Sequence, residues 1–300
     1  MKLIKQSFEI LDQQCGLEGI YKQIERAGRT CYKSEDKITE DSAKEFVDRM
    51  IKSGHGAMLE HSTVYLAMPM ETMLPIEANG WGKYTKNPYS KGFKVCNVDG
   101  QKRVAITTNL RVLVENGWLD DLQYICEPTE YHEKRITVKF ITDQGILREF
   151  TRHRVFSFAV ESTRYCNYTK DKFSNEVTFI QPNWISDEDV ENYHMDFGYF
   201  TDQDANHITA IDRFMSALKN AEYFYIALIK LGWKPQQARN ILPLATKCDM
   251  IMTGFVSDWK HFFRVRSRIA ETGKPHPQAQ ELADPLMDEF VKRGIMETLL

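Results

Sequence analysis

The chain has 300 residues, 42% hydrophobic and 27% charged, with a formal net charge of -3 and a pI near 6.3. It can bury a sizeable core as one large domain or two smaller ones. Its slight acidity excludes a surface that grips nucleic acid as a whole, so any anion binding must be local. The six cysteines are scattered, with no Cys-x-x-Cys pair and no histidine at zinc-ligand spacing; they read as reduced thiols, with no metal centre and a cytoplasmic location expected. No apolar run approaches membrane-spanning length.

Alternation over residues 2–10 predicts an edge strand. Ile20, Ile24 and Ala27 then recur at helical spacing until Gly28-Arg29-Thr30 interrupts them, and Asp41-Ser42 can cap a helix carrying Ala43, Phe46, Val47 and Met50. His55 and His61 flank Glu60 six residues apart, the wrong spacing for two helical metal ligands. Ser62 to Ala67 alternates as a strand, which puts His61 at its entrance, where loops present functional groups. Residues 69–100, rich in Gly, Asn and Pro around Trp81, Tyr84 and Tyr89, read as an irregular excursion and a candidate lid. Val104 to Ile106 is strand-like, Leu110 to Val114 helical, and Asp120 to Ile125 a short helix.

Ile136 to Ile141 is the clearest strand. After a turn at Asp143-Gln144-Gly145, a short helix carries Ile146, Leu147 and Phe150 inward, with Arg148 and Arg152 four apart on its other side. Arg152-His153-Arg154 therefore leaves a helix end. Val177 to Ile180 is a strand. A long helix runs from Asp202 to Gly232 on Ile208, Ile211, Met215, Leu218, Tyr225 and Leu228, and Pro235 opens a further helix at its first position.

Residues 152–165 concentrate cations among residues that want burial: Arg152, His153, Arg154 and Arg164 lie beside Phe156, Phe158 and Val160. Arginine's rigid fork suits bidentate phosphate or carboxylate recognition, and the bland alternative is pairing with local acids. Arg29 is a second candidate cation for the same ligand, and Arg239 a candidate for a buried anion or a salt bridge. His261-Phe262-Phe263-Arg264-Val265-Arg266-Ser267-Arg268 again interleaves cations with aromatics, which can stack bases of single-stranded nucleic acid or cradle one nucleotide or a flavin. Neither a phosphate-binding P-loop nor a Gly-x-Gly-x-x-Gly fingerprint is present.

The pattern Arg152-His153-Arg154, seven residues, Ser162 resembles the signature of the flavin-dependent thymidylate synthases, the ThyX family. Glu60-His61, Ser162-Thr163-Arg164-Tyr165, Ala238-Arg239-Asn240-Ile241-Leu242-Pro243 and Arg266 follow in the family's order. The resemblance implies an α+β fold with a mixed sheet flanked by helices, a single catalytic domain over residues 1–300 and an insertion at about 69–135. It implies FAD held by Arg152, His153 and Arg154, with His61, Thr63 and His261 nearby. It implies dUMP held by Glu149, Glu161, Ser162, Thr163, Arg164 and Arg239, and Arg266 as the catalytic cation that polarises the uracil. NADPH and 5,10-methylenetetrahydrofolate complete the implied reaction, in a homotetramer with shared active sites and without nucleic acid or membrane as partner. Two positions depart from the family's pattern: Val160 replaces its Glu or Gln, and His261 its flavin-binding Asn. A flavoenzyme adding hydroxymethyl to another pyrimidine nucleotide, a flavin-free homologue and a single-stranded nucleic-acid-binding protein are the alternatives. Cys166 and Ser162 are weaker candidates as nucleophiles, Ser162 being assigned to binding.

Overall fold

The computed structural model describes residues 1–73, 82–98, 100–193, 208–271 and 273–299. In chain order, the strands are β1 (Lys2–Ile4), β2 (Ser7–Ile10), β3 (Val64–Pro69), β4 (Lys91–Val98), β5 (Gln101–Thr108), β6 (Arg135–Asp143), β7 (Ser157–Val160), β8 (Thr178–Ile180) and β9 (Lys247–Phe255). The helices are α1 (Gly16–Tyr32), α2 (Ser42–Lys52), α3 (Gly56–Leu59), α4 (Gly82–Thr85), α5 (Leu110–Asn116), α6 (Gln144–Phe150), α7 (Asp187–Asn192), α8 (Ala210–Lys230), α9 (Pro235–Ala238), α10 (Val256–Arg266) and α11 (Pro277–Lys292). The α+β expectation is borne out.

The central sheet is antiparallel, in the order β2-β6-β9-β7. Side chains alternate across a strand, and β9 shows what that does here. Met250 and Met252 enter the larger core with Phe140, Trp259, Phe262 and Leu286, under α10 and α11. Ile251 faces the other way, against Ala27 and Cys31 of α1 and Ala159 of β7. Asp249 and Thr253 share the α1 side, so the polar residues of the sheet collect there.

The expected edge strand over residues 2–10 is two strands in two sheets: β1 pairs in parallel with β8, while β2 joins the central sheet. The break falls at Lys5-Gln6, where the Gln6 side chain donates to Gln278 O at 2.6 Å. The irregular reading of residues 69–100 is corrected in part. β4 and β5 form a hairpin that extends β3, and this sheet packs with α1 and α2 around Ile24, Val47, Leu66, Ile106 and Leu113. Trp81 lies outside the described residues. The Asp120–Ile125 helix is a 3₁₀ helix over Leu119–Tyr124. The long helix is described from Ala210, capped by Thr209, whose hydroxyl accepts from Asp212 N; the expected start at Asp202 lies outside the described residues. Among the described residues no helix is long and apolar enough to cross a membrane.

Candidate functional site

The Asp143 carboxylate caps α6, accepting from Ile146 N at 2.7 Å, and the helix delivers Glu149 at its last turn. α10 brings Arg266 against it from 117 residues away. Arg266 Nη1 lies 2.5 Å from Glu149 Oε2, Nη2 donates to Glu149 O at 2.9 Å, and Nε donates to His153 Nε2 at 3.2 Å. A guanidinium carries five N–H groups, so two remain for a ligand. His153 accepts this bond because its ring is neutral: burial, then the charges of Arg266 and His261, hold its pKa down at about 4. The His261 ring stands 6.0 Å away. Arg152 and Arg154 flank His153, exposed, and their side chains have no hydrogen-bond or ionic partner among the described residues. The triplet thus leaves a helix end as expected, but α6 stops at Phe150, so Arg152 does not share a helix face with Arg148.

A second cluster forms where the chain leaves β7. Arg239 Nη1 donates to Thr163 Oγ1 at 3.0 Å. These two residues, with Arg148, Gln144 and Asn240, line a cavity of about 360 Å3. Neither arginine has a carboxylate partner among the described residues, so pairing with local acids does not account for them. Ser162, half-buried, is anchored by its N–H to Cys31 O at 2.9 Å. Arg164 does not line this cavity; it is exposed and stacks on Tyr165 at 5.4 Å, whose ring in turn meets Tyr32 at 5.8 Å.

Two candidate residues have partners within the chain. Glu161 is turned inward, because it continues the alternation of Ser157 and Ala159 onto the buried α1 side. There its Oε2 accepts from Lys247 Nζ at 2.9 Å and from Asp249 N at 3.2 Å, and its Oε1 is buried without a hydrogen-bond partner among the described residues. It belongs to a cluster in which Lys33, Lys139 and Lys247 surround Glu161 and Asp249. Burial opposes ionisation of Asp249, yet Lys247 and Lys33 outweigh it and hold its pKa down at about 2. Arg29 is likewise spoken for: it donates to Glu25 Oε1 at 2.9 and 3.1 Å and stacks on Phe46.

His61 is fully buried, and desolvation, then Arg135, depress its pKa to about 3. Its Nδ1 lies 2.9 Å from Thr253 Oγ1, which shares a second 2.9 Å bond with Thr137 Oγ1, while His61 Nε2 has no hydrogen-bond partner among the described residues. Thr137, Thr253 and Ser157 are register partners on β6, β9 and β7, so one polar row crosses the sheet toward His61. Arg135 holds the segment carrying His61, donating to Ser62 O at 2.5 Å and Glu60 O at 3.0 Å. Thr63 is fixed by Gln13, which accepts from its N–H and donates to its carbonyl, both at 2.7 Å. Sequence reasoning passed over Thr253, Lys247 and Asp249. Their signal was polar residues inside the otherwise apolar run of β9.

The late basic segment cannot stack bases as its interleaving allowed. Phe262 and Phe263 are fully buried in α10, and the arginines diverge, Arg264 to Glu271 and Arg268 to Asp288. Among the described residues no group of three or more His, Cys, Asp or Glu side chains could hold a metal ion.

Arginines without acid partners among the described residues, and a guanidinium set by a neutral histidine, mark an α+β protein with a positively charged site. Its sequence places it further: the family described as thymidylate synthase complementing protein matches residues 128–293, more than half of the chain, and the chain belongs to that family. It is similar to flavin-dependent thymidylate synthases of Haloarcula marismortui (26% identical over 131 residues, 42% of this chain and 51% of the relative) and Synechocystis (29% over 141 residues, 47% and 60%). The chain thus spans about half the length of the curated relatives it matches. Among solved structures it is similar to a UMP/dUMP methylase, PolB of Streptomyces cacaoi, at 16% identity and a TM-score of 0.43, over 97% of this chain and 93% of that one.

Proposed function

We propose that the chain is a flavin-dependent thymidylate synthase that converts dUMP to dTMP, with 5,10-methylenetetrahydrofolate as carbon donor and FAD, reduced by NADPH, as hydride source. The observation that carries this reading is the convergence of Arg148, Arg239 and Thr163 on one cavity without a carboxylate to neutralise them. Two guanidinium groups and a hydroxyl suit a nucleotide's phosphate.

The residues around His153 fit a flavin. Arg152 and Arg154 are unpaired cations on either side of it, as a cofactor bearing a diphosphate requires. Bound FAD would supply the hydride chemistry. The chain's own residues do the rest. Arg152, His153, Arg154 and His261 hold the cofactor, and we assign His61 and Thr63, both buried at the start of β3, to the same cofactor. Arg239, Thr163 and Ser162 hold the nucleotide. Arg266, with two free N–H groups, stabilises negative charge on the uracil ring. Glu149 and His153 fix the plane of that guanidinium, which orients it before substrate arrives. Glu161 acts behind the nucleotide site as a positioning residue, and Arg164 reaches ligand from the far side of the Ser162 turn.

We read the chain as a single catalytic domain with an insertion at about 69–135, to which the β4–β5 hairpin belongs. Assembly into a homotetramer is supported by the exposed apolar side chains Tyr223, Phe224, Leu231 and Trp233 at the end of α8 and just beyond it. Six free cysteines suit the cytoplasm. The test is the visible spectrum of the purified protein, anaerobic addition of NADPH, then dUMP and methylenetetrahydrofolate with assay of dTMP. A flavin band that bleaches and returns with dTMP formed is expected. Protein that cannot be loaded with FAD overturns the reading, and a flavin that cycles without dTMP replaces dUMP with another nucleotide.

A further inference from the structure

A groove of about 940 Å3 lies between the C-terminal ends of α1 and α2 and the 170–172 loop, apart from the residues assigned above. Its charge is one-sided. Lys33, Lys37, Arg49, Lys52, Lys170 and Lys172 line it, with Asp36 as the one lining carboxylate. Some of these cations are occupied: Lys33 pairs with Asp249, and Lys172 Nζ donates to Lys33 O at 2.9 Å. Lys37, Arg49, Lys52 and Lys170 are exposed and have no hydrogen-bond or ionic partner among the described residues. Arg49 and Lys52 complement the C-terminal end of the α2 dipole. That role is not open to Lys37, which follows α1 in a separate turn, or to Lys170, which lies 118 residues beyond Lys52.

We propose that this groove is a second anion site that takes a short-chain polyanion, a small molecule carrying several phosphate or carboxylate groups along its length. The free cations come from three separate segments around a cavity far wider than one phosphate, so they match charges spread along a chain. Lysine predominates, and lysines act as point charges without the bidentate fork that reads one oxyanion. A nucleic-acid strand fits less well. Of the three rings lining the groove, Phe46 is buried and covered by Arg29 and Arg49 at 4.9 and 5.8 Å, and Tyr32 is engaged by Tyr165, which leaves His55 where a run of bases needs several platforms. The groove also adjoins the Ser162 turn: Cys31 O receives Ser162 N–H, and Lys33 joins the cluster around Glu161. Occupancy is therefore placed to be felt at the nucleotide site. The assignment does not depend on the reaction proposed above.

The test is calorimetric titration of the full chain, at low ionic strength, with inorganic triphosphate and with a short oligo-γ-glutamate. The double variant Lys52→Glu, Lys170→Glu changes exposed residues only, and circular dichroism verifies that it folds. One or both probes should bind the parent, and the double variant should weaken that binding by roughly tenfold or more. Which probe binds distinguishes a phosphate chain, such as that of a nucleoside triphosphate, from a glutamyl tail. Absence of binding by both, or binding equal in parent and variant, overturns the site. Tighter binding of a single-stranded oligonucleotide that the same variant abolishes overturns the small-molecule assignment.

Discussion

Replacing Asp249 by Asn isolates the buried charge cluster. Its side chain is 2% exposed, and it meets Lys33, Lys139 and Lys247, with Lys139 Nζ at 3.1 Å. Three lysines face the two buried carboxylates in the parent, with half-buried Glu35 3.8 Å from Lys33; in the variant Glu161 is the one buried carboxylate left to them. Removing one partner from a buried ion pair costs about 3–5 kcal/mol because the remaining charge is stranded. The lysine side chains are 15–22% exposed and can recover some hydration, so a loss at the lower end, about 3 kcal/mol, is expected. For a chain of this size that lowers the midpoint of thermal unfolding by roughly 5–10 °C. Urea denaturation followed by circular dichroism measures the free energy directly. Adding Lys139→Met to Asp249→Asn should recover about 1 kcal/mol or more, since it removes one of the stranded cations. A loss below about 1 kcal/mol for the single variant, or strict additivity in the double one, would refute the view that these five groups form one balanced unit.

Gly254→Ala should destabilise by about 1–3 kcal/mol, since an added Cβ would sit 2.4 Å from the ring of Phe156 in the core; chemical unfolding reads it, and a neutral result means Phe156 moves freely. Acid should weaken the fold in two stages. His61 and His153 stay neutral in the folded chain down to about pH 3 and 4 while the unfolded chain binds protons near 6.5. Stability is therefore unaffected above about pH 7 and falls below about pH 6.5, by up to about 1.4 kcal/mol per pH unit for each group. Asp249, held at about 2, adds its own loss only as pH falls below 3.8. A urea series across pH 4–7 with no slope would contradict the burial of both rings. Arg266→Ala should retain flavin and lose turnover, and equal loss of FAD binding would remove it from the substrate side. Arg239→Ala should raise the KM for dUMP by roughly tenfold to a hundredfold, the loss of a charge-assisted contact; unchanged KM would move the phosphate elsewhere.

Much of this architecture is written locally. The alternation of Ile136, Val138 and Phe140, the helical period from Met215 to Tyr225 and Pro235 at a first helical position all depend on neighbours within a turn or two, and each stands in the structure as read. What could not be read is pairing over distance. Nothing near Arg266 announces Glu149, which reaches it only because β9 brings α10 beside α6. The split at Lys5-Gln6 depends on Gln278, 272 residues away. Glu161 is the instructive case. Its place beside Ser162 invited a ligand contact, yet the two-residue period from Ser157 through Ala159 already pointed it to the buried side, and Lys247 and Asp249 supplied the charges such a place demands.

That arrangement explains why a charged cluster sits under the binding turn at all. A surface loop carrying Ser162, Thr163 and Arg164 would wander by more than a ligand contact tolerates unless its root were fixed, and an apolar root would fix position but not rotation. Glu161 fixes both: its backbone N–H donates to Asp249 O at 2.8 Å, and its carboxylate takes Asp249 N and Lys247. Directional bonds at both ends of one residue set the angle at which the chain leaves β7. Thr163 then falls to Arg239 and Arg164 to Tyr165, on separate contacts, within a turn that Tyr165 N and Cys166 N close on Ser162 O. The desolvated charges are therefore better understood as a directional anchor than as a source of stability, and their loss should disturb the turn as well as weaken the fold.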